Sequence, residues 1–171
     1  MERALLEYGG NAGRGGHQLT TKTSEQVFAA REEAAAFFGG KPENTIFCLN
    51  CTHALNLAIQ GILQPNDHVI ISSLEHNAVL RPVAAMVREQ GIRCSIAPVS
   101  ADDAETVAAF QERIRPDTKA IICTLASNVT GQILPYREIA ALCQANDICM
   151  IADGAQACGT LPVQLSDGMN I

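Results

Sequence analysis

The segment ICMIADGAQACG, residues 148–159, poses a problem of charge. An apolar run through Ile148, Cys149, Met150, Ile151 and Ala152 stops on the carboxylate of Asp153. The small residues Gly154 and Ala155 follow, then Gln156. A buried carboxylate with no partner is costly, so either a cation belongs beside Asp153 or the residue merely caps a turn. Other apolar runs also end in polar groups. Asn50, Cys51 and Thr52 follow TIFCL, Glu75 and His76 come after HVIIS, and Ser127 and Asn128 come after KAIICTL. Each has a bland reading: Thr52 as a helix cap, His76 as a loop histidine, Asn128 as a turn former and Asp153 as a strand end. Four such groups at one edge of one sheet would be a site.

The elements decide whether they share an edge. Periodicity predicts a helix from about Ser24, with Thr23 and Gln26 at capping-box spacing and Val27, Phe28, Arg31, Ala35 and Phe38 along one stripe, closed by Gly39 and Gly40. Strands are expected at 45–49, 68–72, 92–99, 119–125 and 148–152. Helices are expected at 52–63, about 79–90, from Asp102 and Asp103 to about 114, and from Pro135 to 146. Several of the strands are continuous apolar runs, as parallel strands covered on both faces are. The fold class is therefore α/β, a mostly parallel sheet with helices on both faces, in a single domain over 1–171. In such sheets ligands bind beyond the carboxyl ends of the strands, where the polar groups collect.

Their chemistry suits one ligand. Thr52 and the free N–H groups of its helix make an anion site fit for a phosphate. His76 has a flat face for stacking on an aromatic ring, and Asn128 and Gln156 can donate to a phenolic oxygen. Asp153 would hold the proton of a pyridinium, which makes pyridoxal 5′-phosphate the expected cofactor.

Composition excludes several other classes. The formal charge of −6, the sequence pI near 5.1 and the absence of Trp argue against nucleic acid. No apolar stretch approaches the roughly 20 residues of a membrane helix, and the N-terminus MERALLEYGG lacks the apolar core of a signal peptide. A cytoplasmic chain with no membrane partner is expected. The seven cysteines, an odd number, fit a reducing compartment. Cys48 and Cys51 form the one C-x-x-C, with His53 beside them, and a small metal or redox protein is a third, weaker reading. No second such pair accompanies it, so neither a metal site nor a disulfide is expected there.

In order, GGNAGRGGH, FCLNCTHALNLAI, EHNAVLRP, ASNVTGQILP and DGAQACG resemble motifs of the class V aminotransferase and cysteine desulfurase family of type I pyridoxal-phosphate enzymes. The resemblance runs from about Tyr8 to Gly159 and implies part of that family's large, cofactor-binding domain. It gives Thr52, with Cys51 beside it, the phosphate. His76 takes ring stacking and possible acid–base work, Asn128 and Gln156 the phenolic oxygen, and Asp153 the pyridinium. The activity implied is removal of sulfur from L-cysteine, giving alanine and an enzyme-bound persulfide, by a homodimer. Selenocysteine cleavage and transamination share these motifs. Cys51, His53, Ala12 and Gly154 depart from the family's commoner residues without removing a cofactor contact.

The resemblance also implies a Schiff-base lysine, and Lys22, Lys41 and Lys119 do not match its Ser/Thr-Gly-His-Lys segment. By the family's spacing, that lysine and the C-terminal small domain fall beyond Ile171. The chain is thus expected to be a fragment, inactive alone. The alternative is a non-catalytic binding module with a lysine-less cofactor pocket.

Overall fold

The computed structural model describes residues 2–171, and side chains from residue 4 onward. The chain forms two compact units, Met1–Phe47 and Cys48–Ile171.

In the first unit α1 spans Glu2–Glu7 and α2 spans Gln18–Phe38, followed by a 3₁₀ turn at Pro42–Asn44. Helix α2 begins a turn and a half before the expected start. Thr23 is not its cap. Its hydroxyl donates back to the Leu19 carbonyl at 2.8 Å and to the Tyr8 carbonyl at 2.6 Å, the habit of a threonine inside a helix. The cap is His17, whose Nδ1 accepts from the Thr20 N–H at 3.4 Å. Gly39 closes the helix in the left-handed region, φ 68°, as the Gly-Gly pair indicates.

Residues 45–49, expected as a strand, form none. A strand is a partnership, and no ladder is made with this segment among the described residues. Ile46, Phe47 and Leu49 are accordingly 62, 58 and 87% exposed.

The second unit carries the sheet. Its elements are α3 (Cys51–Ile62), β1 (His68–Ser72), α4 (Asn77–Gln90), β2 (Arg93–Ala97), α5 (Asp103–Gln111), β3 (Thr118–Thr124), α6 (Tyr136–Ala145) and β4 (Cys149–Asp153). The strands run in the order β2-β1-β3-β4, all parallel. On β4's other edge, Ile171 N–H donates to the Met150 carbonyl at 3.2 Å and Ala152 N–H donates to the Ile171 carbonyl at 2.7 Å, a parallel pairing.

Alternate strand residues face opposite layers. Val69, Ile71, Ala120, Ile122 and Ile151 pack against Leu55 and Ile59 of α3 and Val79, Val83 and Met86 of α4. Ile70, Ile121, Cys123 and Met150 pack against Phe110 of α5 and Ile139, Ala140 and Cys143 of α6. Burying each large aliphatic side chain contributes roughly 1.5–3 kcal/mol, so both layers hold the sheet. Because β2 lies on one side of β1 and β3 on the other, the strand order reverses between β1 and β3. In open α/β sheets a crevice forms at the carboxyl ends beside such a reversal.

Candidate functional site

Asp153 closes β4 at that carboxyl edge and is 4% exposed. Its Oδ1 accepts from the Ala155 N–H at 3.0 Å and from the Cys51 thiol at 3.5 Å. Among the described residues no Lys, Arg or His forms an ion pair with it. The charge that ends the apolar run is thus buried, held by a turn N–H and a thiol, and not offset by a cation of its own unit.

The Cys51 thiol brings the start of α3 to Asp153. Asn50, not Thr52, caps this helix: its Oδ1 accepts from the His53 N–H at 2.9 Å. That bond uses one of the first-turn donors, and helix geometry leaves the N–H groups of Cys51 and Thr52 without intrahelical partners. Thr52 is exposed, and its carbonyl accepts from Asn56 Nδ2 at 2.8 Å. Thr52 also lines a groove of about 390 Å³ between α3 and α4, with Asn77 and Arg81. Burial first, then the charge of Asp153 and the bond to it, push the Cys51 thiol up to about 11. At neutral pH Cys51 is therefore a thiol that donates, not a thiolate that attacks.

His76 caps α4, its Nδ1 accepting from the Ala78 N–H at 3.1 Å, and the residue is exposed. That bond orients the ring at the start of α4. Asn128 lies in the turn after β3, where Ser127 Oγ accepts from Val129 and Thr130 N–H groups at 3.3 Å. Gln156 lies in the turn after Asp153; both Asn128 and Gln156 are exposed. Among the described residues, no hydrogen bond joins Thr52, His76, Asn128 or Gln156 to one another or to Asp153. The structure joins Cys51 to Asp153 directly and sets the other four at the same ends of the same sheet.

Gly154 has a reason of its own. A Cβ there would collide with Cys158 Sγ, so the glycine and that cysteine share one space. All seven cysteines are free thiols, and among the described residues no cluster of three His, Cys, Asp or Glu is placed to hold a metal ion.

One of the strand-end groups named in the sequence, Glu75, has no role assigned there. Glu75, next to His76, is 8% exposed, and its Oε1 accepts from the Ser72 hydroxyl and from the Thr124 N–H, the latter at 2.8 Å. The signal was present, since Glu75 is a carboxylate just after an apolar strand, like Asp153. The more chemically distinctive neighbour, His76, drew the assignment instead.

A model of the aminotransferase class V family matches residues 1–169. A cysteine desulfurase of Serratia proteamaculans (strain 568) is 34% identical over 149 residues, which are 84% of this chain and 37% of that protein. The complex between the cystine C-S lyase C-DES and its reaction product cysteine persulfide superposes with a TM-score of 0.78 at 26% identity, covering 92% of this chain and 43% of that one. A C-DES mutant with glycine covalently linked to the PLP cofactor gives 0.78 at 25% identity, over 91% and 43% of the two chains. The chain thus spans well under half the length of these relatives.

Proposed function

Since the chain belongs to the class V aminotransferase family, we propose that its strand ends bind pyridoxal 5′-phosphate as part of an enzyme that removes sulfur from L-cysteine. The observation that carries this reading is Asp153, a buried carboxylate without a cation, one thiol away from an open helix start. Those residues fit the cofactor. A helix N-terminus suits its phosphate, and an uncompensated anion suits its pyridinium.

On this reading the N–H groups of Cys51 and Thr52, with the Thr52 hydroxyl, hold the phosphate. Asp153 accepts the pyridinium proton's hydrogen bond, and the Cys51 thiol and Ala155 N–H keep Oδ1 facing one way. His76 lays its ring on the cofactor's ring, oriented by the bond from Ala78. Asn128 and Gln156 donate to the phenolic oxygen. When bound, the cofactor supplies an electron sink for bonds broken at the amino-acid substrate. The relatives' printed names, a cysteine desulfurase and a lyase with cysteine persulfide, support cysteine as the substrate, alanine as the product and an enzyme-bound persulfide as the sulfur's fate.

Residues 1–171 are one part of the cofactor domain in this proposal, working as a homodimer in the cytoplasm. Exposed apolar side chains such as Phe28, Phe37, Leu57 and Val87 support association. Seven free thiols support a reducing compartment, and no helix among the described residues is long and apolar enough to cross a membrane.

Equilibrium dialysis of the chain against pyridoxal 5′-phosphate tests the site. Asp153→Asn and Thr52→Val should each weaken binding about tenfold, the scale of one charge-assisted hydrogen bond. Equal binding by all three proteins would refute the proposal.

A further inference from the structure

Glu75 lies in the turn between β1 and α4, one residue before His76. Through Oε1 it takes the Ser72 hydroxyl at the end of β1 and the Thr124 N–H at the end of β3. Thr124 stands opposite Asp153 in the parallel register, and the Leu125 N–H donates to the Asp153 carbonyl at 3.0 Å. One carboxylate oxygen therefore spans the reversal between β1 and β3, joining the turn that bears His76 to the strand beside Asp153. The other oxygen, Oε2, is buried with no hydrogen-bond partner. Leaving a buried carboxylate oxygen unpaired is unfavourable, so stability alone does not account for a glutamate here.

We propose that Glu75 is a positioning residue of the cofactor site, fixing the spacing between the His76 turn and the strand end at Asp153. This rests on the reading of that site given above.

Burial pushes Glu75 up to about 7, against the bonds from Ser72 and Thr124, and the charge of Asp153 adds to the rise. The titratable group acting on it is Asp153 on β4, and Glu75 in turn helps push up the Cys123 thiol on β3; no ion pair reaches it among the described residues. Below pH 7 Glu75 keeps its proton. A pyridinium that pairs with Asp153 removes one cause of the rise at Glu75, so wild-type affinity should climb with pH relative to a variant that cannot ionise there. By linkage, binding should then release a proton from Glu75.

Two measurements on the full chain and its Glu75→Gln and Glu75→Ala variants decide the matter. The first is ligand-free NMR of the Thr124 amide exchange and the His76 ring signals. Glu75→Ala should speed Thr124 exchange about tenfold, the loss of one charge-assisted bond, and move the His76 signals. Glu75→Gln keeps the acceptor oxygen and should restore both. A His76 and a Thr124 indifferent to Glu75→Ala overturn the inference, whatever the cofactor does.

The second is titration with pyridoxine 5′-phosphate, which has the ring, phenol and phosphate but no aldehyde, at pH 6 and pH 8. Wild type should gain about threefold more affinity between these pH values than Glu75→Gln does. Glu75→Ala should bind more weakly at both. Binding that is unaffected by either variant overturns the inference while leaving the site reading intact. If wild type and Asp153→Asn alike fail to bind, the site reading fails, and the NMR result alone decides whether Glu75 positions His76.

Discussion

Two buried titratable side chains give this chain opposing pH dependences at the level of single residues. His68 is fully enclosed, with Nδ1 2.8 Å from the Thr118 hydroxyl and Nε2 2.9 Å from the Ser95 hydroxyl, and burial lowers its pKa, with Arg115 adding to the effect. A group lowered on folding stabilises fully above its unfolded value near 6.5, and that stability is lost as pH falls through its folded value. Glu75 runs the other way. Its pKa rises from 4.5 to about 7, so its contribution is full below 4.5 and is lost as pH rises through 7. Urea unfolding should therefore find Glu75→Gln gaining stability over wild type between pH 5 and pH 8, by about 3 kcal/mol at most. A difference that does not change with pH would contradict the shift.

Gly154 and Cys158 make a second residue-scale test. Gly154→Ala should destabilise by less than about 1 kcal/mol, because the Sγ it meets ends an exposed side chain that can turn aside, and Cys158→Ala should relieve that cost. Additive effects in that double-mutant cycle would show that the two side chains do not compete for one space. In a complete enzyme of this family, Asp153→Ala should collapse turnover with the fold intact. Near-normal activity would remove Asp153 from the pyridinium.

At the scale of elements, what matters is which residue starts a helix and which strand finds a neighbour. Asn50 starts α3, and its Oδ1 bond to the His53 N–H fixes where the first-turn donors point. Asn50→Ala should cost about 1 kcal/mol in denaturant unfolding and weaken phosphate-bearing ligands in the same step. Loss of stability with undiminished ligand binding would separate the cap from the anion site. The segment 45–49 shows the other side of this logic. Its composition is that of a strand, yet it forms none, because an apolar β-branched run becomes a strand only when a neighbour takes its backbone bonds. The early start of α2 follows from another local competition. Thr23 gives its hydroxyl to carbonyls of Leu19 and Tyr8 from inside the helix, and His17 caps further upstream.

For the whole chain, the placement of lysine sets what binding can look like. Lys119 is exposed at the amino-terminal part of β3, the opposite end of the sheet from Asp153 at the end of β4. Pyridoxal 5′-phosphate bound at the strand ends of this chain should therefore not be fixed to Lys119. Borohydride reduction followed by peptide mass mapping should give no specific adduct at Lys119. A stoichiometric adduct there, with sulfide released from cysteine, would contradict both the sheet direction and the site. Sedimentation should show the chain associating, given side chains such as Phe37 at 59% and Leu57 at 50% exposure. A monomer at micromolar concentration would count against the homodimer.

The sequence by itself determined the α/β class and four of the strands, because alternating apolar runs and helical stripes are local patterns that burial then enforces. It also placed His76, Asn128, Asp153 and Gln156 after strand ends, since each follows an apolar run by a few residues. Thr52 was legible as a helix-start residue, although the cap proved to be Asn50. Only the tertiary structure decided that the strands run in the order β2-β1-β3-β4, so that the reversal falls between β1 and β3. Strand order depends on which edges meet in space, and no spacing along the chain encodes it. The same holds for the Cys51 thiol on Asp153, a contact across 102 residues, and for Glu75 on Thr124, across 49. Those two bonds exist because parallel strands bring distant turns to one edge, where burial leaves each carboxylate few donors to choose from.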